Sequence, residues 1–437
     1  MEYQFRTCAR VLFTAITPLR IGSGNNSLVS DAMVCTDANG LPYVPGSSLA
    51  GILRHRMAKG EEDLIFGSES HGSTIILSDA NLVYEGGKVV EGLLPHKTPF
   101  LAIYSDLPIR QHVRIGHSGA AEKSGKYDEQ IVFAGSRFCF TVELLSKNHP
   151  EKDVIKTIFS NMMRRDFRIG GGTRKGFGQI RIDCISYVEL DLSQEADLSC
   201  YLEKTASLND QSLRNRMTDL SIQGSDEGLW ETMRIELRPE DFFLFGSGFG
   251  DDVSDITPAV ESRIEWKDGE PSIIKKCTLI PATSVKGAIA HRTAFYYNLF
   301  TRQFAESEIP LSELTGSKNK AVCQLFGCDG SQTELSCRGK VILSDIYLNN
   351  TTEKILDHVV IDSYTGGSLD GGLFNEKVLG TTGNLILDIL VEKSAFSGDE
   401  NVGKAFKSAI QDLCDGFLPL GGGVNRGHGV FTGKILQ

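Results

Sequence analysis

The chain is poor in tryptophan, with two among 437 residues, and it contains no apolar run approaching the ~18 residues needed to cross a bilayer as a helix. Its first residues, MEYQFRTCARVLF, hold no apolar segment ending in a small-residue cleavage site, so neither a secretory leader nor a membrane anchor is expected. Ten cysteines are scattered without a compact framework, which suits a reducing cytoplasm. Positive charge is lacking as a global property, the net charge being −11. Its distribution is uneven. Residues 1–190 carry 22 Lys and Arg against 20 Asp and Glu, and the remainder carries 23 against 36. A local anionic partner is therefore permitted, above all at RRDFRIGGGTRKGFGQIRI (164–182), but not demanded by charge. At 41% hydrophobic and 23% charged residues the chain reads as soluble and folded, with a length that suits two domains.

What is present is a duplication. RVLFTAITPLRIGSGNNSLVSD (10–31) returns as RIELRPEDFFLFGSGFGDDVSD (234–255), so Gly22-Ser23-Gly24 maps on Gly246-Ser247-Gly248 and Asp31 on Asp255. PYVPGSSLAGILRHR (42–56) returns as LIPATSVKGAIAHRT (279–293), with an insertion of 12 residues before it around ESRIEWKDGEPSIIKK. Three further matches follow in the same order: LIFGS…STIILSDANL with QLFGC…GKVILSDIYL, QHVRIG with DHVVID, and RIGGGTRKGFGQIRI with PLGGGVNRGHGVFTG. Such internal repetition decides the architecture before any single motif does. The expected domains are 1–190 and 230–437, joined by an acidic linker, 191–229, with short helices.

Within each copy the periodicities are readable. Val11, Phe13 and Ala15 alternate as on a strand, and Val154, Ile158 and Met162 recur as on a helix. Pro45 suits the first turn of a helix, where the hydroxyls of Ser47 and Ser48 could cap free N–H groups. Strand, helix, strand pair, helix, strand is the order of a ferredoxin-like βαββαβ sheet with one open face. The expected fold class is thus α+β, two tandem ferredoxin-like units.

The loops GGGTRKGFG (170–178) and GGGVNRGHG (421–429) place glycine amides beside Arg174 and Lys175, or Arg426 and His428. Such a loop can hold phosphate oxygens through N–H groups and cations. It is neither a P-loop nor a dinucleotide-binding turn, because its glycines precede a strand, which argues against a nucleotide-binding enzyme. Cys323, Cys328 and Cys337 are spaced C-x4-C-x8-C, without a C-x2-C knuckle or a matching trio in the first copy, so zinc is not expected.

Gly-Ser-Gly after the first strand, Pro-x-Ser-Ser-x-x-Gly at a helix start and the terminal Gly-Gly-Gly-x-x-Arg-Gly-x-Gly resemble the RAMP superfamily of CRISPR proteins. DHVVIDSYTGGSLDGGLFNEKVL (357–379) is similar to a segment of type III backbone subunits, the Csm/Cmr kind, and two such units in one chain resemble the fused subunits of type III-D systems. The resemblance implies palms that bind guide RNA (crRNA) and protruding thumb hairpins, near 108–135 and 356–380, that kink the guide–target duplex. The first copy lacks the Asp-x-x-Thr-Gly of the second. The resemblance also implies partners: complementary target RNA, a large polymerase-like subunit and further RAMP backbone subunits, in the cytoplasm, away from membranes.

The candidate RNA contacts are Ser23, Ser47, Ser48, His55, Arg56, Arg114, Gly171, Gly172, Arg174 and Lys175, then Ser284, Lys286, His291, Arg292, Gly422, Gly423, Arg426 and His428. RNA-cleaving members carry an aspartate after the first strand, which places Asp31 and Asp255 as catalytic candidates and transient magnesium ligands, with Asp251 and Asp252 as rivals to Asp255. A carboxylate there could act as base toward a 2′-OH or hold Mg2+ with phosphate oxygens. Two alternatives stay open. One is a non-catalytic RNA-binding scaffold of the same complex; the other is a metal-independent guide-processing RNase using His55 or His291. His112 and His358 are expected to hydrogen-bond at the hairpin bases.

Overall fold

Val11, Phe13 and Ala15 are buried on one face of β1 (Phe5–Ala15), against an apolar stripe of Ile155, Ile158, Phe159 and Met162. That i, i+3, i+4, i+7 spacing is what makes one helix face apolar, and each side chain so buried contributes about 1.5–3 kcal/mol. The structure is a computed structural model that describes residues 3–24, 30–116, 118–224, 228–305, 309–328 and 336–436. Residues 25–29 of the first repeated turn and 225–227 of the linker lie outside them.

After β1 come α1 (Gly46–Arg54), α2 (Glu61–Phe66), β2 (Ile75–Leu77), β3 (Asn81–Leu82) and α3 (Pro99–Ala102). A hairpin of β4 (Ile109–Ile115) and β5 (Ala121–Gln130) precedes β6 (Arg137–Ser146), α4 (Lys152–Met162) and β7 (Ile180–Asp191). The linker forms α5 (Glu195–Glu203) and β8 (Thr218–Asp219). The second half opens with β9 (Trp230–Pro239), an arm of β10 (Val260–Lys267) and β11 (Glu270–Ile280), and α6 (Ala282–Thr301). It continues with α7 (Lys320–Phe326), β12 (Val341–Leu343), β13 (Ile346–Leu348) and a hairpin of β14 (Thr352–Ile361) and β15 (Ser368–Gly380). β16 (Leu385–Glu392), α8 (Glu400–Cys414) and β17 (Phe431–Ile435) complete it.

The duplication is visible in the sheets. The first runs β2-β6-β1-β7-β8, with β3 also on β6, and the second runs β12-β16-β9-β17, all pairings antiparallel. Each has its own core, the second built on Ile235, Leu237, Ile289, Phe406 and Ile410. Both hairpins stand outside these sheets as two-stranded ribbons, and Tyr364 at the tip of the second is 96% exposed.

Two sequence expectations are corrected. The first sheet's other face is not open: Cys8, Val188, Leu190 and Leu192 pack against Leu198 and Tyr201 of the linker, whose β8 also extends the sheet. In the second sheet that face does stay solvated, carrying the Arg234–Asp388 pair at 2.8 Å. Ser47 and Ser48 do not cap α1; the Gly46 amide is instead accepted by Asp79 Oδ1 at 2.7 Å. The 12-residue insertion packs against the first half. It is the β10–β11 arm, which lays Ile264 and Trp266 on the first core, with the Ile264 amide donating to Ala134 O at 2.8 Å and Trp266 Nε1 to Gly135 O at 2.8 Å.

Candidate nucleic-acid interface

Asp31 and Asp255 sit in the same place twice. Asp31 Oδ2 accepts the Asp128 amide at 3.0 Å, and Asp255 Oδ2 accepts the Asn375 amide at 2.9 Å. The next residues, Ala32 and Ile256, form parallel bridges with Glu129 and Glu376. Both aspartates are exposed, and no partner holds Oδ1 of either among the described residues. This geometry separates the rivals in the second copy. Asp251 is committed to the Val253 and Ser254 amides, at 3.0 and 2.7 Å, and to Lys377 Nζ at 2.8 Å. With Lys377 the largest cause, its carboxyl is held at about 2. Asp252 is exposed and anchors nothing among the described residues.

Beneath each aspartate lies a buried glutamate that sequence reasoning misses. Glu129 is 3% exposed and meets Lys175 Nζ at 3.1 Å, Arg20 Nη1 at 3.2 Å and His112 Nε2 at 3.2 Å. Burial pushes its carboxyl up, but His112, Lys175 and Arg20 outweigh burial and bring it down to about 2. Glu376 is fully buried and takes His358 Nε2 at 2.8 Å, His428 Nε2 at 3.0 Å and Arg426 through Nη2 at 2.5 Å and Nε at 3.2 Å. Burial pushes this carboxyl up as well, and Arg426, His358 and His428 override it, so it too lies below the usual range. The histidines stack on aromatic rings at 4.9 Å in both copies, His112 on Tyr127 and His358 on Phe374. The sequence does hold a signal: DEQ (128–130) and NEK (375–377) each set one glutamate at the same place on a repeated strand.

Each glycine loop is thereby clamped to its hairpin, and the cations expected to face RNA have protein partners. Lys175 and Arg426 pair with the glutamates. Gly171 and Gly422 direct their amides at Arg20 O and Leu244 O, both at 2.7 Å, and Lys175 and Arg426 direct theirs at Gly172 O and Gly423 O. Arg56 pairs with buried Asp166, tying the turn after α1 to the turn after α4, and Arg292 pairs with Asp412, tying α6 to α8. Ser23, Ser47, Ser284, His55 and His291 are exposed, and Arg114 pairs with Glu122 on the first hairpin at 3.1 Å.

The first loop lies at the seam between the halves. Arg174 Nε donates to Gly339 O at 2.7 Å, and Lys286 of α6 to Phe326 O at 3.3 Å. Burial, then the charges of Arg174 and Lys175, bring the Lys286 ammonium down to about 8; burial and Arg338 bring Arg174 to about 10. These cations repel one another, and nearby anions only partly compensate them. Elsewhere Cys323 and Cys328 form a disulfide, and Cys337 pairs with Cys328 through both backbone amides at 3.0 Å, so the fold gathers the cysteine trio. Among the described residues, His358, Glu376 and His428 are the one group placed to surround a metal, but Arg426 already occupies that carboxylate. No described helix is long and apolar enough to cross a membrane.

No curated protein matches the chain. Among solved structures it is similar to a chain of the Type III-B Cmr-beta complex bound to cognate target RNA, at 18% identity and a TM-score of 0.31, covering 42% of this chain and 61% of that one. The similarity thus spans less than two thirds of that relative's length. The profile of the RAMP superfamily matches residues 12–181 and again 244–432, once in each half. The chain therefore belongs to the RAMP superfamily, as two tandem units.

Proposed function

We propose that the chain is a guide-RNA-binding backbone subunit of a cytoplasmic type III CRISPR effector, built of two ferredoxin-like units, that cuts complementary target RNA at up to two sites. The repeated strand order, with strands two and three on one side of the first and the last on its other side, supports the ferredoxin-like reading. The under-compensated cations at the seam suit a phosphate backbone, and the exposed hairpins suit contact with a guide–target duplex.

The observation that carries the proposal is the duplicated aspartate. Each is held by one oxygen at a hairpin root while the other oxygen faces solvent. An anchored carboxylate has lost most of its rotamer freedom, so its outward oxygen is positioned to accept a 2′-OH proton from a nucleotide held in line. Each site offers a single free carboxylate oxygen, which fits Mg2+ only if water and RNA phosphates complete the shell. Bound there through Asp31 or Asp255, magnesium would neutralise charge on the scissile phosphate.

The same anchoring favours a second reading, in which the aspartates only fasten the hairpins and the chain is a scaffold. Cleavage by the assembled complex, loaded with guide and labelled target, separates these readings from a histidine RNase. The proposal expects cleavage that EDTA abolishes and that survives His55→Ala with His291→Ala. Cleavage persisting in EDTA and lost with the histidines would overturn it.

A further inference from the structure

The first hairpin reaches across to the second aspartate loop. Lys126 Nζ of β5 lies 5.3 Å over the ring of Phe249, and a Cβ on Gly248 would stand 3.5 Å from Gln111 Oε1 of β4. Phe249 is pinned through its backbone. Its carbonyl accepts from Ser247 Oγ at 2.9 Å, Thr257 Oγ1 at 2.8 Å and the Thr257 amide at 3.2 Å, while its amide donates to Ser247 Oγ at 3.2 Å. The next residue lies against Asp255. A Cβ on Gly250 would stand 2.5 Å from Ser254 O and 2.8 Å from Asp255 O. The ring held in this way is nonetheless 58% exposed and joins neither core. A fixed backbone lowers the entropy cost of stacking a flat partner on such a ring. Lys126 is exposed too, and no carboxylate pairs with it among the described residues.

These two residues are also where the copies differ. Counting from the repeated glutamates, Leu373 takes the place of Lys126 in the second hairpin. Counting from the repeated aspartates, Asn25 takes the place of Phe249 in the first loop. The lysine and the ring each occur once, and they meet each other. We propose that Phe249 and Lys126 hold one target-strand nucleotide at the Asp255 site, its base stacked on the ring and an adjoining phosphate on the ammonium. Both are positioning residues, which fix the nucleotide on which Asp255 acts. A ring with a cation beside it holds an unpaired base by its π-face without reading its identity. An ammonium that no carboxylate neutralises keeps its charge for a phosphate oxygen. The two cuts then differ in what they require. The second needs a base to stack, whereas the first loop offers Asn25 in place of a ring.

The inference rests on the target-RNA reading of the Asp255 site, and its test keeps the two apart. In the assembled complex with guide and labelled complementary RNA, the band that Asp255→Asn removes marks the second cut. Phe249→Leu should slow that cut relative to the first by at least about fivefold, and Phe249→Tyr, which keeps a ring, should not. An abasic ribonucleotide, placed in turn at each target position beside the cut, should slow the wild type by a similar factor at one position. Combined with Phe249→Leu it should cost no more than either change alone, because both remove the same stack. Lys126→Met should also slow the second cut, while Lys126→Arg should retain it. A second readout needs no cleavage. With 2-aminopurine at that position of a 2′-deoxy target, fluorescence should rise at least about twofold when Phe249→Leu replaces the stacking ring. If Asp255→Asn leaves both bands, the nuclease reading fails and the fluorescence still decides the inference. Losses that multiply, equal slowing of both cuts by Phe249→Leu, or no target position whose fluorescence responds would each overturn it, leaving the pair as a fastening between hairpin and loop.

Discussion

Arg110 Nη1 lies 2.5 Å from Asp345 Oδ2 across the seam between the halves, and neither side chain is more than 7% exposed. The same guanidinium makes a two-pronged contact with Glu261 of the arm, at 2.7 and 2.6 Å, and Glu261 in turn accepts Tyr347 OH at 2.8 Å. Arg110→Ala would leave two carboxylates buried without their cation, a loss of about 3–5 kcal/mol. Calorimetry should then show two transitions, one per half, where the wild type shows one.

The arm should be as sensitive to one methyl group as the seam is to one charge. Gly135 has φ +85°, and a Cβ on it would stand 1.8 Å from Ile264 O. Gly135→Ala cannot be accommodated by a side-chain movement, because the obstacle is backbone. Trp266, which lies 4.2 Å under the Arg137 guanidinium and bonds to Gly135 O, should become solvated. With Trp230→Phe it is the sole tryptophan, so a red-shifted emission reports release of the arm and an unchanged spectrum refutes it.

The buried glutamates make stability pH-dependent in a stated direction. Glu129 is held at about 2, below the usual carboxylate range, so its stabilising contribution is complete above that range and is lost as pH falls from about 4.5 toward 2. Denaturation in urea should show the decline between pH 5 and 3. Glu129→Gln should lower stability at pH 7, by roughly 3 kcal/mol or more since it strands Lys175 and Arg20, and should flatten the acid limb. An unchanged limb would mean the clamp does not form.

Lys286 sets an opposite trend for RNA. With its ammonium at about 8 in the free protein, it is mostly charged at pH 7 and mostly neutral at pH 9. A phosphate at the seam favours the charged form, so affinity for guide RNA should fall as pH rises through that window, by up to about tenfold at fixed salt. Lys286→Met should bind more weakly at pH 7 and lose this dependence, as titrations at the two pH values would reveal. The wild type binding equally at both would exclude the seam as a phosphate site.

Legibility in the sequence follows locality. The alternation of Val11, Phe13 and Ala15, and the stripe on α4, report burial directly, so the strands, helices and duplication can be read from the residues alone. A constant offset places Asp31 and Asp255, and their matching amide bonds reproduce it. What stays hidden is non-local. Nothing in RKG or NRG tells that Lys175 and Arg426 turn inward to a glutamate about 50 residues earlier in the chain, and the insertion's apolar residues do not say which half they cover. Ser47 and Ser48 look like caps by position, but the fold supplies Asp79 from the connection between β2 and β3 instead.

The central claim is that one nuclease site is written twice, and isosteric variants test it most directly. Asp31→Asn and Asp255→Asn keep the oxygen that accepts the Asp128 or Asn375 amide while removing the charge, so the hairpin anchor survives and the chemistry does not. In the assembled complex with guide, magnesium and labelled complementary RNA, each single variant should lose a different product band, at least 100-fold in rate, and the double variant should lose both. If all three variants give the wild-type bands, the aspartates are anchors alone and the chain is a scaffold.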